Sequence, residues 1–157
     1  MIEQLYRRFS GSTFDLDNRV LKPQTGCIPY AFVDGQRVIL LVTSRRTGRW
    51  VFPKGGLMEG LEPWESAAQE AYEEAGVEGH VDPRPVGVYH SIKQRIRPIP
   101  VEVTLYPLLV ETQHDAWPEM RQRHRHWATI AEARRLIAER PLKAILNDFA
   151  AQSVTPE

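Results

Sequence analysis

A chain of 157 residues is the size of one ordinary domain, and its 20 basic and 20 acidic side chains cancel. That balance excludes the net basic charge of a generic nucleic-acid or membrane-surface binder. The single cysteine, Cys27, excludes an internal disulfide, and its place in the apolar run CIPYAFV suits a small buried residue. No run approaches the roughly 18 apolar residues of a spanning helix, and the N-terminal stretch lacks a signal-like apolar core, so a cytoplasmic protein is expected.

In chain order, residues 1 to about 24 are polar and read as an irregular N-terminal extension with room for a short helix. Residues 25–150 read as the core of one domain spanning 1–157. Cys27 to Val33 and Val38 to Thr43 are β-like runs joined through the turn signal Asp34-Gly35. After a polar loop (Ser44 to Arg49) comes a short run, Trp50 to Phe52. Pro53-Lys54-Gly55-Gly56 then reads as a loop. A helix should start near Glu62, with Pro63 in its first turn and Gly76 just past its end. Val86 to His90 and Val101 to Val110 read as strands, the second by its alternation. Ile130 to Glu139 reads as a helix capped by Thr129, and Pro141 opens or kinks a last helix to about Ala150. Strands, a helix, more strands and then helices fit a mixed α/β (α+β) sheet with helices packed on it.

Charge is unevenly spread. Glutamates gather between Glu59 and Glu78, and arginines gather between Arg84 and Arg97 and from Arg121 to Arg125. On a wheel of about 100° per residue, Glu70, Glu73 and Glu74 share one face, opposite Trp64, Ala68, Ala71, Tyr72 and Ala75. A bare Glu-x-x-Glu-Glu reads first as a solvated acidic face. Two costs weigh against that reading. Like charges four residues apart destabilise a helix by roughly 0.2–0.5 kcal/mol. Negative charge in the last turns opposes the helix dipole by about 0.3–1 kcal/mol. A hard divalent cation held by two or three carboxylates would remove both. The glycine pair ahead of the helix would let a ligand approach the backbone closely.

The stretch PKGGLMEGLEPWESAAQEAYEEAGV (Pro53 to Val77) resembles the Nudix box, a glycine followed at fixed spacing by Arg-Glu-apolar-any-Glu-Glu-any-Gly-apolar. Gly55, Glu70, Ala71, Glu73, Glu74, Gly76 and Val77 match in register. Leu61 and Gln69 depart, standing where the signature has Glu and Arg. The runs GCIPYAFVDG, VILLVTSRRTGRWVFPKGG and WPEMRQRHRHWATIAEARRLIAERPLKAILNDF are similar to the diphosphoinositol-polyphosphate and diadenosine-polyphosphate hydrolase branch.

The resemblance implies an α/β/α sandwich with its catalytic loop and helix after a short strand. It also implies Mg²⁺- or Mn²⁺-dependent hydrolysis of a phosphoanhydride in a small-molecule polyphosphate. Glu70 and Glu74 would ligate the metal, with the Lys54 carbonyl as a further ligand. Glu73 would be the general base, with Glu102 and Glu119 kept open as bases from outside the helix. Ser44, Arg45, Gly55 and Gly56 would hold phosphates, Arg123 and Arg125 would grip the polyphosphate, and Arg140 and Lys22 would add contacts. The partner is the substrate alone, with no nucleic acid and no membrane, and the protein is a monomer or homodimer. Diadenosine polyphosphates and diphosphoinositol polyphosphates lead the substrate classes; ADP-ribose and nucleoside triphosphates stay open. The triphosphate end of RNA is disfavoured by the neutral net charge. A module that senses a nucleotide without turnover is the reading of another class. The paired departures suggest a lost ion pair, with Leu61 packed on the core side of the helix and Gln69 bonded to backbone or to a metal glutamate.

Overall fold

A computed structural model describes residues 7–9, 12–14, 21–93 and 95–152. Of the expected irregular N-terminal extension, β1 (Arg7–Phe9) and β2 (Ser12–Phe14) pair as an antiparallel ribbon. Its expected helix has no counterpart among the described residues. The core elements are β3 (Lys22–Val33), β4 (Gln36–Thr43), β5 (Trp50–Val51), β6 (Lys54–Gly56), α1 (Pro63–Ala75), β7 (Val77–Val81), β8 (Gly87–Lys93), β9 (Ile99–Gln113), β10 (Arg125–Thr129), α2 (Ile130–Leu136) and α3 (Arg140–Ala151). The main sheet runs β10-β4-β3-β9-β7, with β5 on β4, β6 on β3 and β8 on β9. β3 and β9 are parallel, from Lys22 beside Val101 to Tyr30 beside Leu109, and the other pairs are antiparallel.

Successive side chains of a strand point to opposite faces. In β4 this sends Ile39 and Leu41 to one side and Leu40 and Val42 to the other, all fully buried. The first side packs under α2 and α3 through Ala133, Leu142, Leu146 and Phe149. The second packs under α1 through Ala67, Ala71 and Ala75. A central strand covered on both faces is apolar throughout its buried stretch, here Ile39 to Val42, and the result is an α/β/α sandwich. Among the described residues, no helix is long and apolar enough to cross a membrane.

Three strands differ from expectation. Lys54–Gly56, expected as a loop, is β6. The reason is a free edge: along β3, β4 pairs only with Tyr30–Val33, so the start of β3 has room for Lys54–Gly56 beside Gln24–Gly26. A side chain on Gly26 would put its Cβ 2.3 Å from the Pro53 carbonyl oxygen, so the two chains close only over glycine. β7 lies in a polar stretch, and the bulge at Glu78/Gly79 lets it pair with β9. β10 is basic and has no apolar run; it is set by pairing with β4. α2 ends at Leu136, three residues short of the expected Glu139, because Ile137 turns extended. Thr129 caps α2 as expected, accepting the Glu132 amide at 3.1 Å.

Candidate active site

The helix α1 is bounded as its sequence suggests. Pro63 opens it, the Glu65 carboxylate accepts the Glu62 amide at 2.9 Å, and Gly76 ends it in the left-handed region at φ 68°. Its buried positions are Ser66, Ala67, Ala71, Glu74 and Ala75, while Trp64, Ala68 and Tyr72 are only half-buried. The buried arc is rotated from the expected one, so Glu74 lies inside it rather than on an open acidic face. Glu74 is 4% exposed, whereas Glu70 and Glu73 are half-buried.

The C-terminal end of α1 is held by one distant segment. The last carbonyls of a helix lack partners inside it. Here Glu73 O accepts the Glu119 amide at 3.0 Å, and Gly76 O accepts the His114 amide at 2.8 Å. Glu74 O accepts the Trp117 indole N–H at 3.1 Å, and Ala75 O accepts Arg125 Nη1 at 2.9 Å. The Arg125 guanidinium also lies 3.8 Å over the Trp117 ring. α1 has no basic residue in its last turn, so Arg125 is the cation that faces its dipole.

Both arginines expected on the polyphosphate are thus occupied inside the protein. Arg125 caps α1 and does not line the cavity described below. Arg125→Ala is expected to lower stability by about 2 kcal/mol, from a charge-assisted bond and a stacked cation. At roughly 2–4 °C per kcal/mol this is a fall in Tm of about 4–8 °C. Substrate KM should hardly move; a raised KM with an unchanged Tm would return Arg125 to the phosphates.

Arg123 donates from Nε to Glu119 Oε1 at 3.1 Å, from Nη1 to the Thr43 carbonyl at 3.0 Å and from Nη2 to Glu74 Oε2 at 3.1 Å. The other Glu74 oxygen accepts the Lys54 amide at 3.2 Å. Glu119, one of the two off-helix base candidates, is thereby drawn to the helix end. Glu102, the other, pairs with His90 Nε2 at 3.2 Å. Gln69 Nε2 donates to Glu73 Oε1 at 3.4 Å, so its partner is the base candidate and not the backbone or metal glutamate expected. Leu61 does not pack on the core side of the helix: it is 42% exposed, because the loop before Pro63 runs over the surface.

Electrostatics follow from this crowding. Burial lifts the Glu74 carboxyl to about 8, outweighing Arg123 and the Lys54 amide, with smaller upward pushes from Glu70 and Glu119. Burial, then the charges of Glu73 and Glu119, lift Glu70 to about 7. The Lys54 ammonium is pushed down by burial, partly offset by Glu74, and donates to Gln24 Oε1 at 2.7 Å. A Cβ on Gly55 would fall 2.2 Å from the Glu70 carboxylate, so that carboxylate fills the space beside the glycine backbone.

No group of three or more His, Cys, Asp or Glu side chains is gathered for a metal among the described residues. Mg²⁺ is held by only one or two carboxylates plus waters and substrate phosphates. Two oxygen donors whose ionisation is opposed by burial and by neighbouring carboxylates, Glu70 and Glu74, fit such a cation in kind. A cavity of about 560 Å³ opens beside Glu74. Of the residues singled out in the sequence, Ser44, Arg45, Lys54, Glu74 and Arg123 line it, and Glu70, Glu73, Gly55, Gly56, Lys22, Arg125 and Arg140 do not. Lys22 and Arg140 are exposed at the starts of β3 and α3. Arg46, Arg49 and Lys93 were not singled out yet line the cavity. The signals were the Ser44 to Arg49 loop and the basic run up to Arg97, which read equally as surface charge.

A buried carboxylate beside a cationic cavity, at the end of a helix on an α/β/α sandwich, suits a phosphorylated ligand. The NUDIX domain model matches residues 22–149, and the chain belongs to the Nudix hydrolase family, which acts on pyrophosphate bonds. It is 30% identical over 156 residues to Nudix hydrolase 17, mitochondrial, of Arabidopsis thaliana, covering 94% of this chain and 84% of that one. It is 29% identical over 119 residues to diphosphoinositol polyphosphate phosphohydrolase 2 of Rattus norvegicus, covering 74% of this chain and 63% of that one. The fold matches the C. elegans Ap4A hydrolase with a TM-score of 0.60 at 19% identity, covering 83% and 97% of the two chains.

Proposed function

We propose that this Nudix hydrolase cleaves a phosphoanhydride in a small-molecule polyphosphate, with Mg²⁺ or Mn²⁺, and that diadenosine or diphosphoinositol polyphosphates are its substrates. The observation that carries this reading is the cavity, where Arg45, Arg46, Arg49 and Lys93 surround the approach to Glu74. Four cations in one mouth, in a chain of zero net charge, suit a ligand with several phosphates. The volume of about 560 Å³ lies in the ordinary range for small-molecule sites. The names of the rat and C. elegans relatives point to the same two substrate classes.

In this reading Arg45, 59% exposed in its side chain, turns its guanidinium to phosphate oxygens, and Ser44 beside it adds a hydroxyl donor. Gly55 and Gly56 offer backbone close to the phosphates. Glu73 takes the proton of the attacking water, steadied by the Gln69 amide on its Oε1. A divalent cation held by Glu70, Glu74 and the Lys54 carbonyl would neutralise phosphate charge and orient the water.

The test is product analysis by mass spectrometry over diadenosine polyphosphates, diphosphoinositol polyphosphates, ADP-ribose and nucleoside triphosphates. The expected result is Mg²⁺-dependent cleavage fastest with one of the first two classes. Faster cleavage of ADP-ribose or of nucleoside triphosphates would overturn the substrate assignment.

A further inference from the structure

The Nudix signature places an arginine on the catalytic helix where this chain has Gln69, and α1 carries no cation in its last turn. The charge is supplied instead from the segment that leads into β10. Arg123 is unlike the other cations of the cavity. Its side chain is 9% exposed, against 59% for Arg45, and its Nε, Nη1 and Nη2 each meet a protein oxygen. An arginine that grips a phosphate presents its fork to the open cavity. This one spans Thr43 at the end of β4, Glu119 and Glu74, tying the sheet to the helix.

We propose that Arg123 is a positioning residue, whose guanidinium fixes the plane of the Glu74 carboxylate for the divalent cation. The inference rests on the metal dependence proposed above. With Arg123 present, each Glu74 oxygen has one donor, Arg123 Nη2 on Oε2 and the Lys54 amide on Oε1, and the carboxylate cannot turn. Without it the Lys54 amide remains as the single tether, and the carboxylate can rotate about that bond. A ligand that must be ordered on binding holds its metal less tightly than one ordered beforehand. A lysine at the same place would keep the charge, but a compact ammonium cannot meet three acceptors at the angles of a planar fork.

The experiment is a Mn²⁺ titration of wild type, Arg123→Ala and Arg123→Lys without substrate, followed by kinetics at saturating metal. Arg123→Ala should weaken Mn²⁺ binding by about 10- to 100-fold, the range for losing a group that orients a metal ligand. Arg123→Lys should recover part of that loss and carries the test if the alanine variant does not fold. At saturating Mn²⁺, KM for substrate should stay near the wild-type value while kcat stays lowered. Unchanged Mn²⁺ affinity in the lysine variant together with a raised KM would overturn the proposal and make Arg123 a phosphate contact. A wild-type protein that binds Mn²⁺ yet cleaves nothing would sink the proposed function alone, because the Mn²⁺ comparison still reads Arg123. A wild type that binds no Mn²⁺ would remove the metal reading and this inference together.

Discussion

Glu74→Gln is expected to lower kcat by roughly a hundredfold or more, on the order of 3 kcal/mol of transition-state stabilisation, while leaving the metal-free protein folded. The two halves come from one cause. Glu74 is nearly fully buried, and burial lifts its carboxyl from the usual value to about 8. The folded state therefore holds a proton on Glu74 more tightly than the unfolded chain does. By linkage, the stability gained from that proton is fully present below the ordinary carboxylate pKa of about 4.5 and is lost as pH rises through about 8. Glu70, lifted to about 7, acts in the same direction over a narrower window. Metal-free wild type should therefore lose Tm between about pH 5 and 8, and added Mg²⁺ should restore most at the alkaline end, where the carboxylates are ionised. In Glu74→Gln the fall should be shallower and the Mg²⁺ effect smaller. Thermal melts across this range, with and without Mg²⁺, check both. A variant that turns over normally, or that unfolds while metal-free wild type does not, would contradict the assignment.

Gly55→Ala should damage activity far more than stability. Gly55 lies in β6, paired beside Thr25, and its backbone is not in the left-handed region, so alanine fits the strand. The obstacle is the Glu70 carboxylate, 2.2 Å from where the new Cβ would sit. That carboxylate is the end of a flexible side chain and can swing aside at little energetic cost, but then it leaves its place. The expected loss in kcat is about 10- to 100-fold, with a change in stability under about 1 kcal/mol. Residues in contact combine non-additively. Once Glu70→Ala has removed the carboxylate, adding Gly55→Ala should cost little more. Fully additive losses in kcat would mean that Gly55 acts through something other than Glu70.

What the sequence made legible was local. Pro63 and Gly76 bound α1 because helix starts and stops depend on a few adjacent residues. The apolar run of β4 reads directly as a strand buried on both faces. β6, β7 and β10 were harder, since each is a strand only through a partner far along the chain. The same limit applies at the site. Glu70, Glu73 and Glu74 of α1 fall on one wheel face, but which edge of that face is buried depends on how α1 sits over Leu40 and Val42. Arg123 and Arg125 look alike in sequence, two arginines spaced by one residue. Only the packing of residues 114–125 against the end of α1 sends one to the Glu74 carboxylate and the other to the Ala75 carbonyl. Leu61 shows the converse: the signature position is visible in the sequence, while its exposure depends on the path of the loop before Pro63.

If α1 and the cationic cavity together perform a metal-dependent hydrolysis, as proposed, the rate must follow the metal. The most direct measurement is the initial rate of cleavage of a diadenosine or diphosphoinositol polyphosphate by the purified full chain as Mg²⁺ is titrated, then chelated, then returned. The expected rate rises to saturation with Mg²⁺, disappears with chelator and comes back when Mg²⁺ is restored. A rate indifferent to chelator, or no cleavage of either substrate class at any Mg²⁺ concentration, would contradict the proposal.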